Sequence, residues 1–205
     1  MSFLTLLPMS FVMIAGPQIL SAVFLATSEK WKLSSTAFLL GAALSITIVV
    51  TAAFLLGVGA SDAGASNDAL YVVVLVLLLA AMVHAYVKRH ETKPPKWMGR
   101  LQTASPQFAF TLGFLLLGVF PTDILTSVAV GSYLAAHSDA WRDMLPFVAL
   151  TLLLLGTPAV MLLLSGERGE AFLPKVRNWM TTNAWIINEI VLAFFVVIVI
   201  SNLAG

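Results

Sequence analysis

Apolar residues occur in six long runs that shorter polar segments separate. The runs cover approximately 3–27, 35–58, 69–88, 105–136, 144–165 and 184–203. A membrane-spanning helix needs about 20 mostly apolar residues, and each run is long enough. The pattern therefore predicts an all-α, polytopic membrane protein with six transmembrane helices.

Composition supports this class. The chain has 205 residues, of which 60% are hydrophobic and 10% charged, whereas soluble domains carry roughly 25% charged residues. The formal net charge of +1 leaves no excess of basic residues for binding nucleic acid, so no nucleic-acid partner is expected. The absence of cysteine excludes disulfides and thiolate metal sites.

The charged residues between the runs indicate an orientation. Ten of the eleven basic residues follow the first, third or fifth run, and Arg142 alone lies on the other side. Basic loops of membrane proteins face the cytoplasm. The sequence therefore predicts a multi-pass protein of the plasma membrane with both termini outside.

Two of the runs are interrupted by proline at matching places, Pro17 in the first and Pro121 in the fourth. Proline removes a backbone donor and clashes with the preceding turn, so transmembrane helices 1 and 4 are expected to be broken there. Because each half has three runs, the second copy must lie upside down, which predicts a 3+3 inverted repeat. The alternative is that any two halves rich in Leu, Ala and Val look alike. The predicted division is a first three-helix repeat at 1–88, a cytoplasmic linker at 89–104, and a second repeat at 105–205 with an interfacial helix at about 167–182.

Both breaks fall near the middle of their runs, and hence near the bilayer midplane. Proline is favoured as the first residue of a helix, so each break is expected to leave a half-helix start with amide donors and partial positive charge. Such ends bind phosphate, sulfate or carboxylate. The alternative is a pair of ordinary kinked helices whose polar groups satisfy one another. The predicted substrate site consists of Pro17, Gln18, Ser21, Pro121, Thr122, Asp123 and Thr126.

Asp123 is the most informative single residue. An acid at the bilayer centre costs at least about 2.5–3.5 kcal/mol, so it should face the protein interior and mark a pathway. An ionised Asp123 would repel an anionic substrate, which leads to the hypothesis of proton-coupled export. The alternative is that Asp123 caps the amides of its own half-helix. Glu189, in the sixth run, is a second proton-coupling candidate, or it extends to the interface without a function.

Motifs for chemical catalysis are missing from the sequence. It contains no Gly-rich phosphate loop and no Ser/His/Asp set at a recognisable spacing. Its three histidines, His84, His90 and His137, are separated and have no paired acids, which makes a poor metal site. The protein is therefore expected not to be an enzyme and to use no metal or cofactor; an intramembrane enzyme acting on lipids is the alternative from that class.

Several short motifs resemble a known group of membrane proteins. They are Gly16-Pro17-Gln18 with Gly41, Phe120 to Leu125, Ser165 to Arg168 with Pro174 to Arg177, and Trp185 to Glu189. Together they resemble the lysine-exporter (LysE) superfamily of six-span transporters, and most closely its GAP family of sulfolipid- and peptidoglycolipid-addressing proteins. The resemblance implies export of cell-envelope glycolipids, a homodimer, and action beside a larger lipid transporter.

The expected function is that of a secondary transporter which exports or flips an amphiphilic cell-envelope (glyco)lipid, with the membrane lipid as its substrate and proton coupling through Asp123. Two alternatives stay open. One is a LysE-like exporter of a small amino-acid-like solute. The other is a non-transporting accessory subunit that docks on a larger lipid transporter.

Overall fold

The protein is helical throughout the part of the chain that the structure describes. This computed structural model describes residues 3–14, 16–56, 68–87, 96–137, 140–183 and, in part, 185–200. The α-helices are α1 (Phe3–Ile14), α2 (Pro17–Ala26), α3 (Trp31–Leu56), α4 (Asp68–Val87), α5 (Pro106–Val119), α6 (Pro121–Ala136), α7 (Leu145–Ser165) and α8 (Glu167–Thr182). Two 3₁₀ helices, Lys96–Thr103 and Trp141–Met144, precede α5 and α7. The all-α class is confirmed.

Some of these helices are long and apolar enough to cross a membrane. Among the described residues, α3 and the stretch Trp141–Ser165 qualify on their own. Helices α5 and α6 qualify together as one broken stretch, with a bend of 66° between them. These helices are compatible with a multi-pass membrane protein. The sixth run lies largely outside the described residues, so the six-span count stays a prediction.

Helix α3 has the exposure pattern of a helix in lipid. Its large apolar residues Leu40 and Leu55 are 63% and 75% exposed, whereas Ser34 and Ser45 are buried. A surface helix of a soluble protein shows the opposite arrangement, with its apolar stripe inward. Apolar side chains outside and small polar side chains inside are what a hydrocarbon solvent favours, because small residues allow helices to approach closely.

The chain divides into two compact units. The first comprises Met1–Ala63 and Lys96–Arg177, and the second comprises Gly64–Pro95 and Asn178–Gly205. In the first unit, α3 packs mainly against α5 and α6, and α7 packs against α1, α2 and α3. The second unit contains α4 and the last helical pieces, and within it the rings of Tyr86 and Trp185 meet edge to face. The predicted division into two repeats and a linker follows sequence symmetry and stays a prediction.

Glycines bring the backbones of α3 and α5 into direct contact. A β-carbon at Gly41 would overlap the carbonyl oxygen of Phe110, and one at Gly113 would overlap the carbonyl oxygen of Phe38. The contact is reciprocal, since each glycine faces a main-chain carbonyl of the opposite helix. Small residues at such crossings are typical of membrane helices, where close van der Waals packing replaces the hydrophobic effect as the driving force.

Three basic segments meet at one end of the first unit, which we call the basic end. Residues 27–34, 96–105 and 166–177 together carry seven basic and three acidic side chains. The Ser34 hydroxyl donates to the carbonyl of Ala104 over 3.3 Å, and the Arg177 guanidinium donates to the Thr27 hydroxyl over 3.3 Å. At the other end of α3, the indole of Trp141 donates to Thr51 over 2.9 Å.

Candidate functional site

Helix α2 begins at Pro17, and the residue before it has a backbone conformation that only glycine adopts without strain. Gly16 has φ +97° and ψ −135°, and Pro17 follows as the first residue of the helix. A residue with a β-carbon is strained at that φ, whereas glycine adopts it freely. Gly16 therefore provides the backbone conformation from which α2 starts at Pro17.

Helix α6 begins in the same manner at Pro121. Helix α5 ends at Val119, and Phe120 is extended, with φ −66° and ψ 130°. Extended backbone is what sterics favour before a proline. The amides of Asp123 and Ile124 both donate to the carbonyl of Phe120 over 3.0 Å. The bond from Ile124 is the first regular hydrogen bond of the helix. The bond from Asp123 uses an amide that is otherwise unpaired at a helix start, so this amide is not free for an anion.

The two helix starts meet through a buried hydrogen bond. The side-chain amide of Gln18 donates to Oδ2 of Asp123 over 2.5 Å, and both side chains are fully buried. Gln18 is the second residue of α2, and Asp123 is the third residue of α6. We call Gln18 and Asp123 the polar pair; it joins positions 105 residues apart in the chain.

The polar pair has two hydrogen-bond acceptors left over. Oε1 of Gln18 and Oδ1 of Asp123 are buried and have no partner. Asp123 therefore does not cap its own helix, because one carboxylate oxygen binds Gln18 and the other is unpaired. A buried polar atom without a partner costs about 1–3 kcal/mol. Both oxygens are acceptors, so each needs a hydrogen-bond donor.

Two buried serines supply unpaired hydroxyls on neighbouring elements. The hydroxyls of Ser10 and Ser127 have no partner among the described residues, and both side chains are fully buried. Ser127 lies one turn after Asp123 on the same face of α6. Ser10 lies in α1, which packs against α6 and α7. Ser10 was not predicted; a lone serine within the apolar sequence of α1 was the available signal.

The other predicted residues take different positions. The hydroxyl of Ser21 donates to the carbonyl of Pro17 over 2.6 Å, and that of Thr126 donates to the carbonyl of Thr122 over 2.8 Å. Both donors are therefore used within their own helices. Pro121 and Thr122 are exposed, Pro17 is half-buried, and Glu189 lies in the second unit with one buried, unpaired carboxylate oxygen.

No cluster of three His, Asp or Glu side chains able to hold a metal ion occurs in the described part of the chain. The polar pair contains a single carboxylate and an amide, and neither residue has a second acid beside it on its own helix. The arrangement can accept hydrogen bonds and carry a proton.

The strained backbone at Gly16 leads to a first prediction. Gly16→Ala is expected to lower the free energy of unfolding by about 1–3 kcal/mol, because alanine is forced to φ +97°. Thermal unfolding of the purified protein in detergent measures this. The control is Gly156→Ala, which lies inside α7 with its nearest neighbour, Leu39 Cδ1, at 3.4 Å, and should be neutral or stabilising. Equal melting temperatures for the two variants would contradict the strain.

The fold and the site define an all-helical protein with helices of membrane-spanning character and a buried polar pair where two helix starts meet. The chain belongs to the family described as Sap, sulfolipid-1-addressing protein, whose model matches residues 6–202. Membership confirms the likeness of the sequence motifs to sulfolipid-addressing proteins. Searches of the curated proteins and of the solved structures found no match.

Proposed function

We propose that this protein is a secondary transporter that moves an amphiphilic cell-envelope lipid outward across the membrane. The description of its family, sulfolipid addressing, supports a lipid as the cargo. The observation that carries the proposal is the polar pair. A buried hydrogen bond between two helix starts, with two acceptors unpaired, is an arrangement that a ligand or a proton can complete.

The unpaired acceptors favour a head group that donates hydrogen bonds. Sugar hydroxyls can donate to Oε1 of Gln18 and Oδ1 of Asp123, whereas a sulfate or phosphate oxygen cannot. An anion would also be repelled by an ionised Asp123. The amides that could attract an anion at the start of α6 are partly used by Phe120. We therefore propose that the sugar part of a glycolipid, and not its anionic group, contacts the polar pair.

Proton coupling is the second part of the proposal. One proton on Asp123 neutralises a carboxylate in a segment where charge is costly. The same proton turns an acceptor into a donor, and Oε1 of Gln18 is an acceptor in need of one. Binding of a hydroxyl-rich head group and binding of a proton would then satisfy the same oxygens in turn. This competition is what an antiporter needs.

The membrane topology is proposed on the same basis. The gathering of three basic segments at one end supports a cytoplasmic face there, with six spans and both termini outside. Helices α1 and α2 would form the first span, α5 and α6 the fourth. The 3+3 inverted repeat remains a proposal that follows from the matching halves of the sequence. The relation to the LysE superfamily and a homodimer remain proposals that follow from the family resemblance.

A reconstituted flux assay tests the function. Purified protein in liposomes is given a trace of a fluorescent monoglycosyl diacylglycerol, and the labelled lipid in the outer leaflet is bleached by dithionite. The expected result is transfer between leaflets above that of protein-free liposomes, accelerated by a pH gradient. Labelled phosphatidylcholine with the same chains is the control, because its head group has no hydrogen-bond donor, and it should be moved more slowly.

The outcomes separate the alternatives. Equal transfer of both lipids would contradict recognition of hydroxyl groups. Transfer of neither lipid, together with efflux of an amino acid from the same liposomes, would support the small-solute exporter. No flux of any kind would support the accessory subunit. Lipid recovered with altered chemistry would support an enzyme.

A further inference from the structure

A cavity of ≈ 200 Å³ lies at the basic end of the first unit, and the proposed function does not use it. Its wall includes Ala26, Leu162, Leu173 and Pro174, which are apolar, together with Trp31 and Thr27. Thr27 follows the last residue of α2, nine positions after Gln18, and is therefore about 13 Å along the helix from the polar pair. We call this cavity the corner pocket.

The guanidinium group of Arg177 is hydrogen-bonded to Thr27, one of the residues that line the corner pocket. Arg177 donates to Oγ1 of Thr27 over 3.3 Å, and its guanidinium carbon lies 5.5 Å from the centroid of the Phe24 ring. Arg177 is half-buried and has no ion pair within the described residues. A half-buried cation held by a hydroxyl and an aromatic ring keeps donors free for an anion.

The surroundings of the pocket also favour an anionic ligand, and they suit a position at the surface of a membrane. Lys30, between α2 and α3, and Lys32, in the first turn of α3, are exposed, and Lys32 stands over the ring of Trp31. Helix α8 exposes Phe172 to 49% while it buries Leu173 against Ala26 and Leu162. A helix with exposed aromatic and basic residues is typical of the membrane interface.

From these features we infer that the corner pocket binds the head-group end of an anionic membrane lipid. The guanidinium of Arg177 holds the phosphate or sulfate of the lipid, because it can donate two parallel hydrogen bonds to two oxygens of the same group. The glycerol side of the lipid contacts the apolar wall that Leu162, Leu173 and Pro174 form. Free phosphate or sulfate shares the anionic chemistry but has no use for an apolar wall. The site therefore selects the lipid.

Native mass spectrometry of the purified protein in detergent tests this site. The protein is titrated with phosphatidylglycerol and, separately, with phosphatidylcholine of the same acyl chains. The wild type should bind phosphatidylglycerol preferentially. Arg177→Gln should weaken phosphatidylglycerol binding about tenfold, as expected for the loss of a charge-assisted contact. Arg168→Gln removes the same charge from an exposed position of the same helix, and should leave binding within about twofold.

Each contrary outcome overturns a stated part. If Arg177→Gln and Arg168→Gln weakened phosphatidylglycerol binding equally, the effect would come from general surface charge, and the proposed site would be wrong. Displacement of phosphatidylglycerol by millimolar inorganic phosphate would show that the pocket holds a free anion. If Arg177→Gln does not fold, Arg177→Lys is used instead, because lysine keeps the charge but lacks the paired donors of the guanidinium. Unchanged phosphatidylglycerol binding by Arg177→Lys would overturn the role of the guanidinium. The measurement is of binding alone, so it is independent of transport.

Discussion

Replacing Asp123 with asparagine is expected to remove the acceleration of lipid transfer by a pH gradient while leaving the protein folded. Asparagine has the shape of aspartate and carries no exchangeable charge. Its amide can still accept from Gln18 and can donate where the wild type has an unpaired oxygen. Transfer by Asp123→Asn should therefore be the same with and without the gradient.

The matched control for this experiment is Glu29→Gln, which neutralises an acid at an exposed position on the basic end. Its transfer should keep the full response to the pH gradient. Thermal unfolding of both variants shows whether folding is preserved. An unchanged gradient response in Asp123→Asn would rule out Asp123 as the proton-coupling group, and the same loss in Glu29→Gln would point to a general effect of charge.

Adding one methyl group at Gly113 is expected to lower the stability of the protein markedly. The new β-carbon in Gly113→Ala would overlap the carbonyl oxygen of Phe38, which is backbone and cannot rotate away. Overpacking of this kind typically costs about 1–3 kcal/mol. The melting temperature should fall by roughly 2–4 °C for each kcal/mol in a protein of this size.

Two other glycine variants sharpen this test. Gly41→Ala meets the carbonyl oxygen of Phe110 on the same crossing and should be destabilising to a similar degree. Gly118→Ala meets the hydroxyl of Ser45, a side chain that can change rotamer, and should cost less. If Gly118→Ala were as destabilising as Gly113→Ala, the distinction between backbone and side-chain contact would be wrong.

Local rules accounted for the helix boundaries and for part of the site. Helices α2 and α6 begin at Pro17 and Pro121, because proline fixes φ at a helical value and loses no hydrogen bond as the first residue of a helix. The rule is a preference, since Pro158 and Pro174 lie inside α7 and α8. The burial of Asp123 follows from the cost of charge in lipid. Its contact with Gln18 required the additional premise that the two helix starts lie together, which the resemblance between the halves supplied.

Other features depended on partners that the sequence does not reveal. The crossing of α3 and α5 could not be derived from the small residues of α3, because Gly41 alone does not say which helix it meets. The corner pocket was not predicted for the same reason, since it forms between the end of α2, α7 and α8. Helix α8 turns Leu173 inward and leaves Phe172 and Trp179 exposed.

The local hydrogen bonds of Ser21 and Thr126 follow from the sequence. Each hydroxyl donates to the carbonyl four residues earlier, so its proton is not available to a substrate, and the place of these two residues in a substrate site stays a prediction. Serine and threonine inside a helix commonly make this local bond. Gln18 escapes the rule because its longer side chain reaches beyond its own helix to Asp123.

The reciprocal glycine contact should make the pair α3 and α5 the least movable part of the first unit. Gly41 and Gly113 come from opposite halves of the chain, so their crossing fixes these two helices to each other. If α3 slid along α5 by one residue, residues with β-carbons would take the place of the glycines. Their β-carbons would overlap main-chain oxygens of the opposite helix, so this movement is blocked. For the transport function proposed above, the rocking movement that exposes the polar pair alternately to each side of the bilayer would then be made by α1, α2 and α7, while α3 and α5 stay fixed.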